Sequence, residues 1–257
     1  MERLLFLNAS QFLLILTRML VMLLVAPIFS GKMVPIRFRV ILAFLLAFLL
    51  ALHQDQTVLC FQNSFSWADA GFLKALLGEF FLGLVFGTAG LFLLGALQTA
   101  GTAAAYAGGI SFPMDGGLSN DAAPITASFF YLLGTALLFL CGGHLMMLES
   151  LLRSFAAYPS GAVPALPELA KQLPDLFILG FQLGVHMALP ILTVLLLAQI
   201  GLAVLNRVLP QLDVFGMAFP MNVLVLLFVL SLTLGAAMTL FLNGFTSGWS
   251  AFFVFSR

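Results

Sequence analysis

The chain has 257 residues, of which 62% are hydrophobic and only 8% charged, and its ten basic and ten acidic side chains cancel. Soluble globular domains carry charge on about a quarter of their residues, so this composition excludes one and indicates an integral membrane protein. The balance also excludes the basic field expected of a nucleic-acid-binding surface and the acidic tail that would attract a basic partner.

Apolar runs fall at 4–30, 36–52, 72–100, 125–150, 176–206 and 214–242. They predict an all-α membrane protein of six helical segments, arranged as kinked hairpins. The first run follows Met1, Glu2 and Arg3 and lacks a small-residue cleavage site, so it reads as a retained helix and not as a cleaved signal peptide. Arg18 sits midway along it. A charge inside an apolar run costs about 2.5–3.5 kcal/mol on insertion scales and defaults to a functional or assembly role. The expectation is an interhelical ion pair or carbonyl-capping contact, with Glu79 as candidate partner.

Val40–Leu52, the uninterrupted part of the second run, would reach only about 20 Å against a hydrocarbon core of about 30 Å. It crosses a bilayer only if its flanks join the helix. Lys32, Arg37 and Arg39 before it, set against Asp55 and Asp69 after it, point to a cytoplasmic first connection. Lys74, Arg153 and Lys171 do not continue the alternation. In the third run Gly78, Gly83, Gly87, Gly90, Gly95 and Gly101 recur at three- to six-residue spacing, a pattern that marks close helix packing in membranes.

The fourth run contains Cys141, Gly142, Gly143 and His144, then Glu149 and Arg153 at the four-residue spacing of a helical ion pair. A lone histidine on an apolar face reads as a hydrogen-bonded packing residue. His53 and His186 have no supporting ligands either, and Cys60 and Cys141 have no partner spacing for zinc or redox chemistry. The connection 158–175, with four prolines, is too short for a soluble domain. Pro190 should kink the fifth run, and Arg207 with Asp213 closes the polar set before the sixth.

One stretch breaks the apolar order. Gly101–Pro124 holds five glycines, two prolines, Asp115 and Asp121. Irregular backbone at membrane depth is tolerated only inside protein or along a water-filled path, so the segment reads either as a gate or as a turn between hairpins. Catalytic motifs are missing around it. No His-Glu-x-x-His pair is present for zinc, and Ser247 between Gly244 and Gly248 lacks both nucleophile-elbow spacing and a nearby histidine base.

Four ordered blocks carry the most specific signal: Arg18 to Pro27-Ile28-Phe29; Val34-Pro35 to Arg39; Gly142-Gly143-His144 with Arg153-Ser154-Phe155; and Gln199 to Pro220, including Asn206-Arg207, Pro210-Gln211 and Phe215-Gly216. Together they resemble the FliR/SctT family of type III export-gate proteins, and the flagellar branch more than the virulence branch. The resemblance implies one export-gate domain over 1–257: N-terminal hairpins to 100, a plug-like loop at 101–124 and C-terminal hairpins from 125. It implies no enzymatic activity and no cofactor. The implied setting is a helical hetero-oligomer in the bacterial inner membrane with FliP-like and FliQ-like gate subunits and a FlhB-like switch protein, passing unfolded flagellar subunits. The positions matching the family plug are Gly108, Gly109, Phe112, Met114, Asp115, Gly116 and Gly117. Gly116 follows Asp115 where proline is common, and Asp213 stands where asparagine is more usual. The rival reading is a small ion-coupled transporter, which predicts an inverted repeat; only a faint echo links Arg18–Pro27 to Arg207–Pro220.

Overall fold

The computed structural model describes residues 2–30, 34–52, 70–109, 124–161, 166–208 and 214–253. They form helices α1 (Glu2–Val25), α2 (Pro27–Ser30), α3 (Ile36–Leu52), α4 (Ala70–Gly108), α5 (Ile125–Leu140), α6 (Gly143–Ala157), α7 (Leu166–Val208) and α8 (Val214–Phe253). Among the described residues six helical segments are present as predicted, two of them broken.

The breaks follow local chemistry. Pro27 has no N–H to continue α1, and it takes the first position of α2, where its missing donor costs nothing. The turn is closed by Ala26 N–H to the Met22 carbonyl at 2.8 Å and Phe29 N–H to the Ala26 carbonyl at 3.1 Å. Between α5 and α6 the axis bends by 67°. Gly142 makes this corner at φ 73°, a left-handed conformation open to glycine, and its carbonyl accepts the Leu145 and Met146 N–H groups that start α6.

Flanking residues do join α3, which begins at Ile36 behind Pro35. Its 17 residues reach about 25 Å. By contrast α4, α7 and α8, with 39, 43 and 40 residues, run to about 58–65 Å, about twice the hydrocarbon core. Among the described residues three helices are long and apolar enough to cross a membrane, within Gly71–Gly108, Leu173–Val204 and Pro220–Ser250, and α5 with α6 makes a fourth if the bent pair is one span. The second half of the connection 158–175 is helical despite its prolines, since it belongs to α7, which also continues through Pro190.

The chain folds as two compact units. The first comprises 1–92, 139–177 and 249–257. Its core is made by Leu14, Met22, Leu82, Phe86, Met147 and Phe155, all at most 1% exposed. The second comprises 93–138 and 178–248, with Leu97, Phe130, Leu195, Leu226 and Phe241 fully buried.

The glycine series of α4 acts as packing surface at most of its positions. In the first unit, a methyl group on Gly83 would lie 2.6 Å from the Arg18 carbonyl oxygen, and one on Gly87 2.6 Å from Val25 Cβ. In the second, one on Gly101 would lie 2.6 Å from Ala127 Cα. Approaches this close need a residue with no side chain. Gly95 differs, with nothing within 4 Å of its Cβ position.

Candidate functional site

Arg18 and Glu79, each costly in an apolar run, meet in the first unit. Nε donates to Glu79 Oε2 at 2.5 Å, and both side chains are fully buried. A buried pair is sustained only when its remaining donors and acceptors are also used, and here they are. Arg18 Nη1 donates to Ser154 Oγ at 3.1 Å and Nη2 to the Tyr158 carbonyl at 3.0 Å. The guanidinium carbon lies 4.1 Å from the centroid of the Phe155 ring, a cation–π geometry that strengthens with desolvation. The other Glu79 oxygen accepts the Gly161 N–H at 3.0 Å.

The cluster therefore ties α1, α4, α6 and the turn after α6 through one guanidinium. Gly83 sets the spacing. One helical turn beyond Glu79, it brings the α4 backbone against the Arg18 carbonyl, and this close approach holds the carboxylate within reach of Nε. On α6 the buried face is Gly143, Met147, Ser150, Leu151, Ser154 and Phe155, the spacing of one helical face. Ser154 turns its hydroxyl proton to the Leu151 carbonyl at 2.6 Å, leaving oxygen lone pairs for Arg18. A second bond fixes the same face: Trp249 Nε1 donates to Ser150 Oγ at 2.8 Å. Sequence reasoning misses Ser154, Phe155, Tyr158 and Gly161 as partners of this pair. Polar Ser150 and Ser154 at four-residue spacing among apolar positions are the available signal.

The other polar predictions sort differently. Glu149 and Arg153 form the expected helical pair at 2.6 Å, with side chains 61% and 66% exposed. His144 is a packing residue, its ring centroid 5.0 Å from that of Phe139. The hydrogen bond expected of it is not found at Nδ1, which is buried without a partner among the described residues. Arg207 lies exposed in the last turn of α7, and Asp213 lies outside the described residues. No group of three or more histidine, cysteine, aspartate or glutamate side chains suited to a metal occurs among the described residues.

The candidate gate segment begins inside a helix. α4 continues through Gly101–Gly108, against the irregular backbone expected there, because Ala103, Ala104 and Ala105 carry the helix past Gly101. Gly109 ends it at φ 72°. Phe112, Met114, Asp115, Gly116, Gly117 and Asp121 lie outside the described residues. The base from which they depart is well held in the second unit. Thr126 Oγ1 donates to the Gly101 carbonyl at 2.8 Å, joining the start of α5 to α4. Gln199 Nε2 of α7 donates to the Ala107 carbonyl at 2.7 Å. Leu226 of α8 packs so that a methyl group on Gly108 would lie 3.1 Å from its Cδ2. The last two turns of α4 thus project about 10 Å beyond Gly101, pinned by α7 and α8.

The sequence pattern of the bacterial export proteins, family 1, matches residues 9–248. The chain belongs to this family. It is 28% identical over 211 residues to the flagellar biosynthetic protein FliR of Escherichia coli (strain K12), covering 82% of this chain and 78% of that protein. To the protein of the same name in Aquifex aeolicus (strain VF5) it is 29% identical over 208 residues, 81% and 79% of the two chains. The Yop proteins translocation protein T of Yersinia pestis is 29% identical over 161 residues, 60% of each chain. These matches bear out the FliR/SctT resemblance carried by the four sequence blocks. With the long apolar helices they make the chain a membrane component of bacterial protein export.

Proposed function

We propose that the chain is a non-enzymatic, pore-forming subunit of the flagellar type III protein export gate in the bacterial inner membrane. FliP-like and FliQ-like subunits complete the gate, a FlhB-like protein switches it, and unfolded flagellar subunits pass through it. The flagellar assignment is supported by relatives named FliR that span about four fifths of the chain, against three fifths for the translocation protein T.

The observation that carries the gate reading is the pinned end of α4. A seal must open without dismantling its frame. Gln199 and Leu226 hold the helix end at Ala107 and Gly108, and the glycine- and proline-rich sequence 109–124 follows at once. In this reading Phe112 and Met114 close the passage to water and ions, since both pack adaptably around irregular neighbours. Gly108 closes the helix against Leu226, and Gly109, Gly116 and Gly117 supply the backbone freedom to swing aside. Asp115 and Asp121 anchor the closed loop.

Deletion of 110–118 tests this directly. The assembled complex lacking that segment should conduct ions in planar bilayers while the intact complex stays closed. Equal conductance of the two complexes would remove the plug role.

A further inference from the structure

α3 carries two different chemistries on its inner and outer sides. Arg37, Ile41, Phe44 and Phe48 follow one another at three- or four-residue steps and all are exposed, so they form one stripe along the helix. The side packed against α1 carries Ala43 and Ala47, both fully buried. Small residues therefore stand where the first unit packs against itself, as Gly83 does on α4. Every exposed position from Val40 to Leu49 is instead a large apolar residue.

Composition, more than exposure, decides what covers the outer side. A neighbouring helix in a membrane is held by close approach over Gly, Ala, Ser or Thr, or by hydrogen bonds between helices. The exposed positions of α3 between Val40 and Leu49 offer neither. A water-filled path would leave these large apolar side chains hydrated, against the hydrophobic effect. Acyl chains suit them. Length agrees, since the ten residues from Val40 to Leu49 rise about 15 Å, the depth of one leaflet of the hydrocarbon core. Arg37 then stands about one helical turn outside that depth, at the level of the headgroups.

Charge selects the headgroup. Arg39, on the inner side, donates from Nη2 to the Val34 carbonyl at 2.8 Å, whereas Arg37 lies on the outer side. No acidic residue occurs between Glu2 and Asp55, so no carboxylate from this stretch of chain faces the Arg37 guanidinium. Arg18, in the same interval, is committed to Glu79. A guanidinium matches the geometry of a phosphate group, and basic side chains beside an apolar segment attract anionic lipids.

We propose that α3 is a docking surface for an anionic phospholipid, with the phosphate on Arg37 and the acyl chains along Ile41, Phe44 and Phe48. The proposal is independent of the gate reading and stands or falls without it.

Native mass spectrometry of the complete chain in mild detergent tests it, with phosphatidylglycerol and phosphatidylcholine of the same acyl chains as probes. Phosphatidylglycerol should bind about fivefold more tightly, the effect of one basic side chain near a charged headgroup. Arg37→Gln should bring the two lipids level, and Arg37→Lys, which keeps the charge, should retain the preference. Arg153→Gln, at an exposed arginine paired with Glu149, should leave it unaltered, and Ile41→Ser should weaken both lipids alike. Equal binding of the two lipids by the parent chain, or an undiminished preference in Arg37→Gln, would overturn the proposal. So would displacement of phosphatidylglycerol by inorganic phosphate beyond that caused by sodium chloride at equal ionic strength, which would mark a site for free anions. A photo-crosslinking residue at Ile41 in living cells should give no protein adduct. An adduct to another membrane protein would make this side a subunit interface and exclude the lipid.

Discussion

Replacing Arg18 by methionine should be among the most damaging single substitutions in the first unit. The side chain that leaves takes with it the ion pair to Glu79, the hydrogen bonds to Ser154 Oγ and the Tyr158 carbonyl, and the face contact with Phe155. What remains is a fully buried carboxylate whose only retained donor among the described residues is the Gly161 N–H. Removing one member of a buried pair costs about 3–5 kcal/mol, because the survivor is an uncompensated charge. The two further lost hydrogen bonds, to Ser154 and Tyr158, add about 1 kcal/mol each, giving about 5–7 kcal/mol. Arg18→Met with Glu79→Met together should cost much less, since apolar replacement of a whole buried pair is often near neutral. The assay is reversible unfolding of the purified protein in mixed detergent micelles in a Trp67→Phe background, followed by the fluorescence of Trp249, which reports on α6 through its bond to Ser150. A single mutant within about 1 kcal/mol of the parent, or a double mutant worse than both singles, would refute the view that this pair organises α1, α4 and α6.

Three further outcomes follow from the geometry. Gly83→Ala should cost about 1–3 kcal/mol in the same assay, because its methyl group meets the Arg18 carbonyl oxygen at 2.6 Å and two helix backbones must part; Gly95→Ala, with open space around it, should be neutral or gain up to about 1 kcal/mol from helix propensity. Gln199→Leu should loosen the end of α4 by about 1 kcal/mol and raise ion leakage through the assembled gate; unaltered leakage would separate the Ala107 contact from sealing. Glu149→Ala or Arg153→Ala should change stability by no more than about 0.5 kcal/mol, since the pair is exposed and screened, and a larger loss would mean that a partner subunit buries it.

Residues whose cost is intrinsic were legible in the sequence. Arg18 and Glu79 are expensive anywhere in an apolar run, so each needed a partner, and the partner could be named from the sequence. The α4 glycines were legible for a similar reason, since small residues at helical spacing have few other uses in a membrane. What supports the pair was not legible. Ser154 and the Tyr158 carbonyl are ordinary until α6 packs with α1 and α4 inside the first unit and meets the guanidinium. Gly101 misled in the opposite direction. In isolation it reads as a breaker, but its hydrogen side chain is what Ala127 packs against, and three alanines carry the helix beyond it.

The same distinction separates what holds the protein together from what lets it work. Around Arg18 the guanidinium and carboxylate are engaged with several elements at once, so displacing any one of them exposes a charge and costs several kcal/mol. The end of α4 is held by one neutral side-chain bond from Gln199 and by apolar packing on Leu226, contacts worth about 1 kcal/mol each. On the proposed gate reading, the sequence after Gly109 is mounted where these neutral contacts end and glycine begins, at Ala107, Gly108 and Gly109.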